Sequence, residues 1–261
     1  MTFSGLHYAD VPLLLPNAWD IPSALAFLEA GFEAIGTTSF GVASSLGQPD
    51  AARLTRDANL WLARALTVLP VFINVDIEDG YSDDPQQIAD YVAELDVAGI
   101  NIEDSTSGQL VSPDLCAAKV AAIKRACPDL FVNARVDTYW LGQEATVGGT
   151  LRRAARYVDS GADGVFVPGA TEPAELSQLA AQIGVPMNVL AIPSMSLSDF
   201  ADLGIRRVST GSLPYRAAIH SAAQVAAAVR EGDKFPSAVS YPEMQARLLS
   251  YQRQMAQIER N

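Results

Sequence analysis

The sequence predicts an α/β protein that folds as a (β/α)8 barrel of the TIM type with an extra C-terminal helix. The first observation is a repeated unit. A helix-like segment ends in glycine and a short apolar run follows, as at Gly31, Gly99, Gly161, Gly184 and Gly204. Glycine just past a helix end takes the left-handed cap conformation at little cost. Helices that alternate with buried apolar strands form βα units and a parallel sheet.

The second observation is the number of strands. Apolar runs that fit buried strands lie at about 11–17, 33–38, 71–76, 99–103, 130–135, 164–167, 186–191 and 206–209. Eight βα units within roughly 230 residues fit a closed barrel. The alternative is a doubly wound open sheet, which usually has a glycine-rich phosphate loop after its first strand. The first strand here leads instead into NAWDIPSA.

Amphipathic segments connect the strands. In residues 86–97 apolar side chains recur at i, i+3, i+4 and i+7, and residues 114–127 carry a similar stripe, so both are predicted to be core-facing helices. We assign residues 1–240 to one barrel domain. Residues 241–261 are polar and helical and lie beyond the eighth unit, so we expect a helical arm that forms part of an oligomer interface.

The composition argues against several classes of protein. The net charge is −12, and the sequence lacks the basic cluster that nucleic-acid-binding proteins carry. We see no apolar run long enough to cross a membrane and no secretory signal pattern. We therefore expect a cytoplasmic protein with neither a nucleic acid nor a membrane as partner. Cys116 and Cys127 are predicted to be unpaired in a reducing compartment.

The most informative stretch is residues 71–81, which read VFINVDIEDGY. The apolar run is typical of a buried strand that ends in Asp76 and Glu78 and turns at Gly80. Side chains alternate along a strand, so Asp76 and Glu78 share one side and repel each other. A hard divalent cation would compensate the two carboxylates. Taken alone, the stretch fits a solvated acidic turn equally well.

Two other strand ends carry groups that could complete such a site. In barrels the chemistry lies at the C-terminal ends of the strands. Glu103 ends the fourth strand and could share a cation with Asp76 and Glu78, directly or through water. Arg135 ends the fifth strand and would be the fixed positive group for a substrate carboxylate.

Each candidate also has a purely structural interpretation, and these alternatives stay open. Glu103 could interact with a helix dipole, and Arg135 could form an ion pair with Asp137 at the rim. Asp50 could cap a helix at 51–67. The residues Thr38 and Ser39, which follow the second strand, could be ordinary turn residues.

Five separated motifs occur in order: NAWD at 17–20, AIGTTSFGVASSLGQPD at 34–50, VDIEDGY at 75–81, GINIED at 99–104 and VNARVDTYW at 132–140. Together they resemble the isocitrate lyase/phosphoenolpyruvate mutase superfamily, in particular its smaller members. The resemblance implies a (β/α)8 barrel that binds Mg²⁺, or Mn²⁺, together with a 2-oxo acid or its enolate.

The resemblance also implies roles for the acidic residues. Asp76 would be the main direct metal ligand and would lie against the substrate. Glu78 and Glu103, with Asp50, would hold metal-bound waters. Arg135 would bind beside the enolate or carboxylate oxygens. The expected catalytic residues are therefore Arg135, Asp50 and Glu103.

A loop and a distant asparagine complete the implied substrate site. Thr38, Ser39 and Phe40 would grip the substrate carboxylate with backbone amides, and Asn188 matches a substrate-binding position on strand seven. The resemblance further implies homodimers or homotetramers that exchange a C-terminal helix, which suits the arm at 241–261.

The chain departs from the superfamily after its fourth strand. Isocitrate and methylisocitrate lyases carry a KKCGH-type loop there, whereas this chain reads IEDSTSGQLVSPDL and has no Lys, Cys or His in the loop. The proton carriers of this loop are the hydroxyls of Ser105, Thr106 and Ser107, which are poor acids or bases unless activated. Tyr81 and Tyr139 are the remaining candidates for proton transfer.

The leading hypothesis is an Mg²⁺-dependent lyase that cleaves a C–C bond in a small 2-oxo or 2-hydroxy di- or tricarboxylate through an enolate. One alternative is C–P chemistry, either hydrolysis or rearrangement of phosphonopyruvate. A second is a protein that binds 2-oxo acids without turning them over, which the missing loop residues favour. A third is a barrel without a metal, in which the acidic cluster is merely solvated.

Overall fold

The computed structural model describes residues 2–258 and confirms the predicted class, a parallel barrel with helices outside it. The strands, in chain order, are β1 (Leu13–Leu15), β2 (Asn17–Ala18), β3 (Ala34–Thr37), β4 (Phe72–Asp76), β5 (Gly99–Glu103), β6 (Ser105–Thr106), β7 (Gln109–Leu110), β8 (Phe131–Arg135), β9 (Gly164–Phe166), β10 (Met187–Leu190) and β11 (Arg207–Ser209). The barrel sheet has the order β1-β11-β10-β9-β8-β5-β4-β3-β2, and β6 pairs with β7 in a separate hairpin.

The predicted first strand, residues 11–17, consists of the two short pieces β1 and β2 on either side of Pro16. The two pieces close the barrel, because β1 pairs with β11, where Leu13 lies opposite Arg207, and β2 pairs with β3. Proline has no N–H to donate to a neighbouring strand, and the strand changes partner at this residue. The other seven predicted strands begin and end within one residue of their expected bounds.

The helices surround the barrel and supply its outer core. In chain order they are α1 (Phe3–Leu6), α2 (Ile21–Glu29), α3 (Ser39–Ser45), α4 (Arg56–Leu66), α5 (Pro85–Ala93), α6 (Pro113–Ala126), α7 (Thr138–Leu141), α8 (Val147–Asp159), α9 (Pro173–Gln182), α10 (Leu197–Asp202), α11 (Leu213–Glu231) and α12 (Tyr241–Ile258). The two predicted amphipathic segments are α5 and α6, and their apolar stripes are buried. No described helix is long and apolar enough to span a membrane.

The N-terminal end of the barrel is closed by α1 and the residue that follows it. Phe3 and Leu6 are buried there, and the His7 ring stacks on Phe131 with centroids 4.1 Å apart. The opposite, C-terminal end is open, and this is where the polar strand ends converge. Cys116 is buried and Cys127 half-buried, and both are free thiols, as predicted.

The two C-terminal helices differ in how they pack against the barrel. Helix α12 begins where the arm was predicted and packs against its own barrel: the Tyr251 hydroxyl donates to the Ala65 carbonyl (2.9 Å), and Arg247 forms an ion pair with Glu29. Helix α11, in contrast, buries a single residue, Tyr215. The last residues of the predicted arm, 259–261, lie outside the described part of the chain.

Candidate active site

A pocket opens at the C-terminal end of the barrel, as the convergence of polar strand ends predicts. Its wall contains six of the predicted site residues, which are Thr38, Ser39, Phe40, Asp50, Asp76 and Arg135. Every barrel strand or the loop after it contributes to the lining, so the pocket lies on the barrel axis. The remaining predicted residues, Glu78, Glu103 and Asn188, lie behind or below this wall.

Asp76 is the carboxylate at the centre of the pocket wall. It ends β4, and the Ser39 backbone N–H donates to its Oδ2 (3.1 Å), while the Glu78 N–H lies 3.4 Å from its Oδ1. Burial raises the pKa of the Asp76 carboxyl, Arg135 opposes this effect, and the negative charge of Asp50 adds to it. Asp76 is thus a carboxylate whose negative charge is under-compensated by the protein.

Glu78 points away from the pocket and anchors the loop that carries Asp50. Its Oε2 accepts from the Arg53 backbone N–H (2.9 Å), and its Oε1 accepts from the Thr55 hydroxyl (2.5 Å). Burial raises the pKa of Glu78, and the hydrogen bond from Thr55 opposes this effect. The predicted alternation is distorted here, because Glu78 has a positive φ of 51°. Asp50 itself is exposed at the rim.

Glu103 and Arg135 form a buried ion pair beside Asp76. Arg135 Nη1 donates to Glu103 Oε2 (2.9 Å), and Arg135 Nε donates to Asp137 (2.6 Å). Burial raises the pKa of Glu103, Arg135 opposes this effect, and the carboxylates of Asp137 and Asp76 add to it. Arg135 therefore makes the rim ion pair that the structural interpretation anticipated. Its Nη2 has no partner within residues 2–258 and is available to a ligand.

The loop after β3 offers fewer backbone donors than the resemblance implies. The Thr38 N–H donates to the Ala18 carbonyl (3.0 Å), and the Ser39 N–H is used by Asp76. The Phe40 N–H has no hydrogen-bond partner among the described residues and lies in the first turn of α3 on the pocket wall. Of the three expected amides, one is free to bind an anion.

Asn188 lies below the pocket, in the interior of the barrel. It is fully buried, and its Oδ1 accepts from Asn133 Nδ2 (3.1 Å) and from the Ser209 hydroxyl (3.2 Å). The structure therefore brings Asn188 beneath the site without placing it in the wall. A substrate-binding role for Asn188 remains a prediction.

The loop after β5 is a tight hairpin that does not reach the pocket. The Ser105 hydroxyl donates to Asp137 (2.5 Å), and the Thr106 hydroxyl donates to Asp79. Ser107 and Gly108 form the turn with φ of 51° and 75°. The hydroxyls considered as proton carriers are therefore absent from the pocket wall, and the hairpin does not replace the chemistry of a KKCGH-type loop.

Neither candidate tyrosine lines the pocket. The Tyr81 hydroxyl accepts from Asn59 Nδ2 (3.1 Å) behind the Asp50 loop, and burial raises the pKa of Tyr81 well above its usual range. Burial likewise raises the pKa of Tyr139, to about 12. Both phenols are therefore poorly placed to exchange a proton with a ligand in the pocket.

The sequence did not predict one side of the pocket. An apolar arc is formed by the last residues of β9 and β10, by α7, which follows β8, and by the loop after β9. It contains Trp140, Phe166, Pro168 and Leu190. Arg135 lies against this arc, with its guanidinium carbon 5.7 Å from the Trp140 ring centroid and 5.9 Å from that of Phe166. The signal was available, since all four residues lie at or shortly after strand ends, but apolar residues carry no chemical pattern to single them out.

The pocket fits a divalent cation held by few direct ligands. Within residues 2–258, no three His, Cys, Asp or Glu side chains are arranged to ligate one ion together. Mg²⁺ keeps several of its waters and needs one or two carboxylates, so Asp76 with bound water is a sufficient protein contribution. Burial raises the pKa of Asp76 and of Glu103, and neighbouring carboxylates add to the effect, so a cation beside these groups would favour their ionised forms.

The fold and the site together define the class of protein. A family model described as phosphoenolpyruvate phosphomutase matches residues 3–230. The chain therefore belongs to this family, within the isocitrate lyase/phosphoenolpyruvate mutase superfamily, as its motifs indicated.

The relatives of this chain include an uncharacterised protein and two named enzymes. An uncharacterised protein of Mycobacterium tuberculosis (strain ATCC 25618 / H37Rv) is 57% identical over 97% of this chain and 98% of its own length. The 2-methylisocitrate lyase of Bacillus subtilis (strain 168) is 30% identical over 79% of this chain and 73% of its own. The oxaloacetate decarboxylase of Pseudomonas fluorescens (strain SBW25) is 28% identical over 84% of this chain and 80% of its own.

Solved structures share the fold. The crystal structure of phosphonopyruvate hydrolase in complex with oxalate and Mg²⁺ superposes with a TM-score of 0.82 at 23% identity and covers 99% of each chain. At this identity the likeness establishes a common barrel and leaves the reaction open.

Proposed function

We propose that this protein is an Mg²⁺-dependent lyase that cleaves a C–C bond in a small 2-oxo or 2-hydroxy di- or tricarboxylate. The observation that carries the proposal is the juxtaposition of Asp76 with Arg135 Nη2 in the wall of one pocket. Superfamily relatives named as a 2-methylisocitrate lyase and an oxaloacetate decarboxylase support the reaction class. A structural neighbour that binds oxalate and Mg²⁺ supports the cofactor.

Within this class we favour decarboxylation of a 2-oxo acid, because of what the pocket lacks. Retro-aldol cleavage of a 2-hydroxy acid needs a base to remove the hydroxyl proton. Decarboxylation of a 2-oxo diacid needs none. The C–C bond breaks between the departing carboxylate and the carbon next to the oxo group, its electron pair moves to form the enolate, CO₂ leaves, and water returns a proton to that carbon. Among the residues lining the pocket there is no His, Lys or Cys. Of the two carboxylates in the lining, Asp76 is the expected cation ligand and Asp50 is exposed at the rim.

Side-chain and backbone groups of this chain would stabilise the negative charge that develops during the reaction. Arg135, oriented by Glu103 and Asp137, would donate from Nη2 to the oxyanion or its neighbouring carboxylate, a preorganised electrostatic effect. The free Phe40 amide would hold a carboxylate oxygen. Bound Mg²⁺ would supply positive charge beside the same oxygens. The apolar arc of Trp140 and Phe166 would limit water on the side of the departing group.

Turnover of a panel of acids tests the proposal. Purified protein with Mg²⁺ is incubated with 2-oxo and 2-hydroxy di- and tricarboxylates and with phosphonopyruvate, and products are followed by ¹H and ³¹P NMR. We expect enolate-derived oxo acid and CO₂, with the rate of Arg135→Met lowered about 100-fold. Turnover that survives both Asp76→Asn and Arg135→Met would overturn the proposal.

The same panel separates the other candidate functions. The family match itself favours C–P chemistry as the second candidate, and release of phosphate from phosphonopyruvate would establish it. Tight binding of 2-oxo acids without any product would identify a binding protein that has lost catalysis.

We also propose that the protein works as a homodimer or homotetramer that exchanges a C-terminal helix. The support is α11, which exposes Ile219 (57%) and Val229 (61%) although it follows the last barrel strand. Because α12 packs on its own barrel, α11 is the better candidate for the exchanged element.

A further inference from the structure

Arg207 lies in the barrel interior beneath the pocket, where a charged side chain is unexpected. It is fully buried on β11, and its guanidinium donates to side-chain oxygens that belong to amides and a hydroxyl. Nη1 donates to Asn74 Oδ1 (3.3 Å), Nη2 to Asn101 Oδ1 (3.1 Å) and Nε to Ser209 Oγ (3.3 Å). Burial lowers the pKa of Arg207 to about 9, a cost that the fold must offset elsewhere.

Arg207 determines which way the asparagine amides point. A guanidinium has donors and no acceptor, so each amide beside it must turn its oxygen toward it. The Asn101 oxygen therefore faces Arg207, and it also accepts from Asn133 Nδ2 (2.9 Å) and Asn74 Nδ2 (3.2 Å). With three donors on its oxygen, Asn101 is held in one of its two amide orientations.

This orientation leaves the Asn101 amino group on the pocket side. Asn101 lines the pocket, although it is 3% exposed, and it lies opposite Asp76 in the pairing of β4 with β5. Its Nδ2 has no hydrogen-bond partner within residues 2–258. This N–H opens onto the pocket and can donate to an acceptor oxygen that a ligand brings.

Two glycines leave the space that this arrangement needs. A Cβ at Gly99 would lie 2.8 Å from Asn74 Oδ1, and one at Gly164 would lie 2.9 Å from Asn133 Oδ1, both closer than real Cβ atoms approach. Glycine at these two positions is what allows the amide layer to form around Arg207. The layer is therefore built into the backbone, and it fixes the floor of the site.

We propose that Asn101 is a ligand-contacting residue that donates from Nδ2 to an oxygen of the bound acid, and that Arg207 is the positioning residue that holds its amide. This inference deepens the proposed function and rests on it. The ligand class is a small anion with an acceptor oxygen at the pocket floor, such as a 2-oxo acid or its enolate. The Asn101 amide is an uncharged donor. It can bind such an oxygen without placing a positive charge next to the carboxylates that would hold the cation.

The test compares two asparagine-to-aspartate variants by calorimetric titration of oxalate at saturating Mg²⁺. Asn101→Asp replaces the donor in the pocket with an acceptor. Asn74→Asp is the matched control: it also places a carboxylate beside Arg207 and does not line the pocket. It removes one donor to the Asn101 oxygen, but Arg207 and Asn133 still donate to that oxygen. We expect Asn101→Asp to weaken oxalate binding by at least about tenfold, and Asn74→Asp to stay within about threefold of wild type.

The outcomes separate this inference from the proposed function. Wild-type protein that binds no oxalate overturns both. If wild type binds oxalate and Asn101→Asp binds it equally well, only the contact proposed for Asn101 is wrong. Equal losses in Asn101→Asp and Asn74→Asp also overturn it, because the effect is then one of added charge.

The positioning role of Arg207 is tested by coupling. Arg207→Lys keeps the charge but has no planar fork to hold two amide oxygens. We expect it to weaken oxalate binding about tenfold in wild type and less than about twofold in the Asn101→Ala background. Equal losses in the two backgrounds would overturn the positioning role. The aspartate comparison decides the contact even if the lysine variant does not fold.

Discussion

Asp76 is the residue on which the candidate chemistry depends, because it is the carboxylate that the pocket presents without a cationic partner of its own. Arg135 is already paired with Glu103 and Asp137. The Ser39 amide that a ligand might have used instead donates to Asp76 and fixes its rotamer. The local electrostatics thus favour a cation at Asp76, while Nη2 of Arg135 can still donate to a ligand oxygen.

Removing the Asp76 charge should abolish cation binding while leaving the fold intact. We expect Asp76→Asn to lower Mg²⁺ affinity at least about tenfold, since even partners of metal ligands are worth that much. Isothermal titration with Mg²⁺ measures the affinity, and circular dichroism checks the fold. Asp57→Asn, at an exposed position in α4, is the control. Unchanged Mg²⁺ affinity in Asp76→Asn would show that Asp76 is not a ligand of the cation.

The metal-free protein should become more stable as the pH falls from neutral toward about 5, above the ordinary carboxylate range. Burial raises the folded-state pKa of Asp76, Glu78 and Glu103, so the folded state binds protons more readily than the unfolded one. Stability is then lost as the pH rises through these pKa values. Thermal melts should show a Tm several degrees higher at the acidic end, and Mg²⁺ should stabilise most at neutral pH. A Tm that is flat with pH, or equally steep in Asp76→Asn, contradicts this origin.

At the residue scale the sequence predicted the charged groups but not their surroundings. Asp76 and Arg135 were found because a charge at the end of an apolar run is conspicuous. Asn101 was missed because an asparagine inside the run GINIED has no distinctive chemistry on its own. Its orientation depends on Arg207, which lies 106 positions away, and only the closed barrel brings the two together.

At the scale of elements, one cluster joins the loop that carries Asp50 to the hairpin β6–β7. Asp79 is its centre: it accepts from Arg53 Nε (3.0 Å) and from the Thr106 hydroxyl, and its backbone carbonyl accepts from Lys119 Nζ (2.8 Å). The loop holds Ala51 and Arg53 at positive φ of 54° and 57°, a strained conformation for residues with side chains. The contacts to Asp79 are what maintain it.

Arg53→Ala should therefore release the Asp50 loop. We expect faster amide exchange over residues 47–55, a loss of about 2 kcal/mol of stability and a drop in turnover, because a hydrogen-bonded charge pair with a buried partner is broken. Exchange followed by mass spectrometry measures the loop. Arg64→Ala is the control, since its ion pair with Glu94 is exposed on both sides. If the two variants exchange alike, Arg53 does not hold the loop.

Helices and strands with a clear sequence pattern were predicted well. Elements that depend on the pairing of very short strands were predicted poorly. The stripes of α5 and α6 and the eight strands follow from local patterns. The hairpin β6–β7 was missed because two-residue strands carry no period. The helix expected at 51–67 begins only at Arg56, because contacts to Glu78 and Asp79 hold Arg53 in a non-helical loop.

At the scale of the whole molecule, the barrel class was predictable because alternating helices and buried strands have few solutions, and the family match agrees with it. The exposed apolar side chains of α11 are the observation on which the proposed oligomer rests. Exposed Phe235 (58%) and Val239 (45%) continue this surface toward α12. Burial of such a surface is the usual driving force for association.

We expect the double variant Ile219→Asp/Val229→Asp to shift the protein toward monomer, because a charge at a buried apolar contact is costly. Size-exclusion chromatography with light scattering gives the mass. Gln224→Asp places the same charge on an exposed polar position of α11 and should leave the assembly intact. A wild-type monomer, or an oligomer that survives the double substitution, would show that α11 is not the interface.

The central claim is that Asp76 and Arg135 form one site for Mg²⁺ and a small 2-oxo acid. The most direct test is calorimetric titration of oxalate into metal-free and Mg²⁺-saturated protein, each as wild type, Asp76→Asn and Arg135→Met. The account predicts binding that requires Mg²⁺, is lost in Asp76→Asn and is weakened at least about tenfold in Arg135→Met. Oxalate that binds equally well with and without Mg²⁺, or equally well to all three proteins, would contradict it.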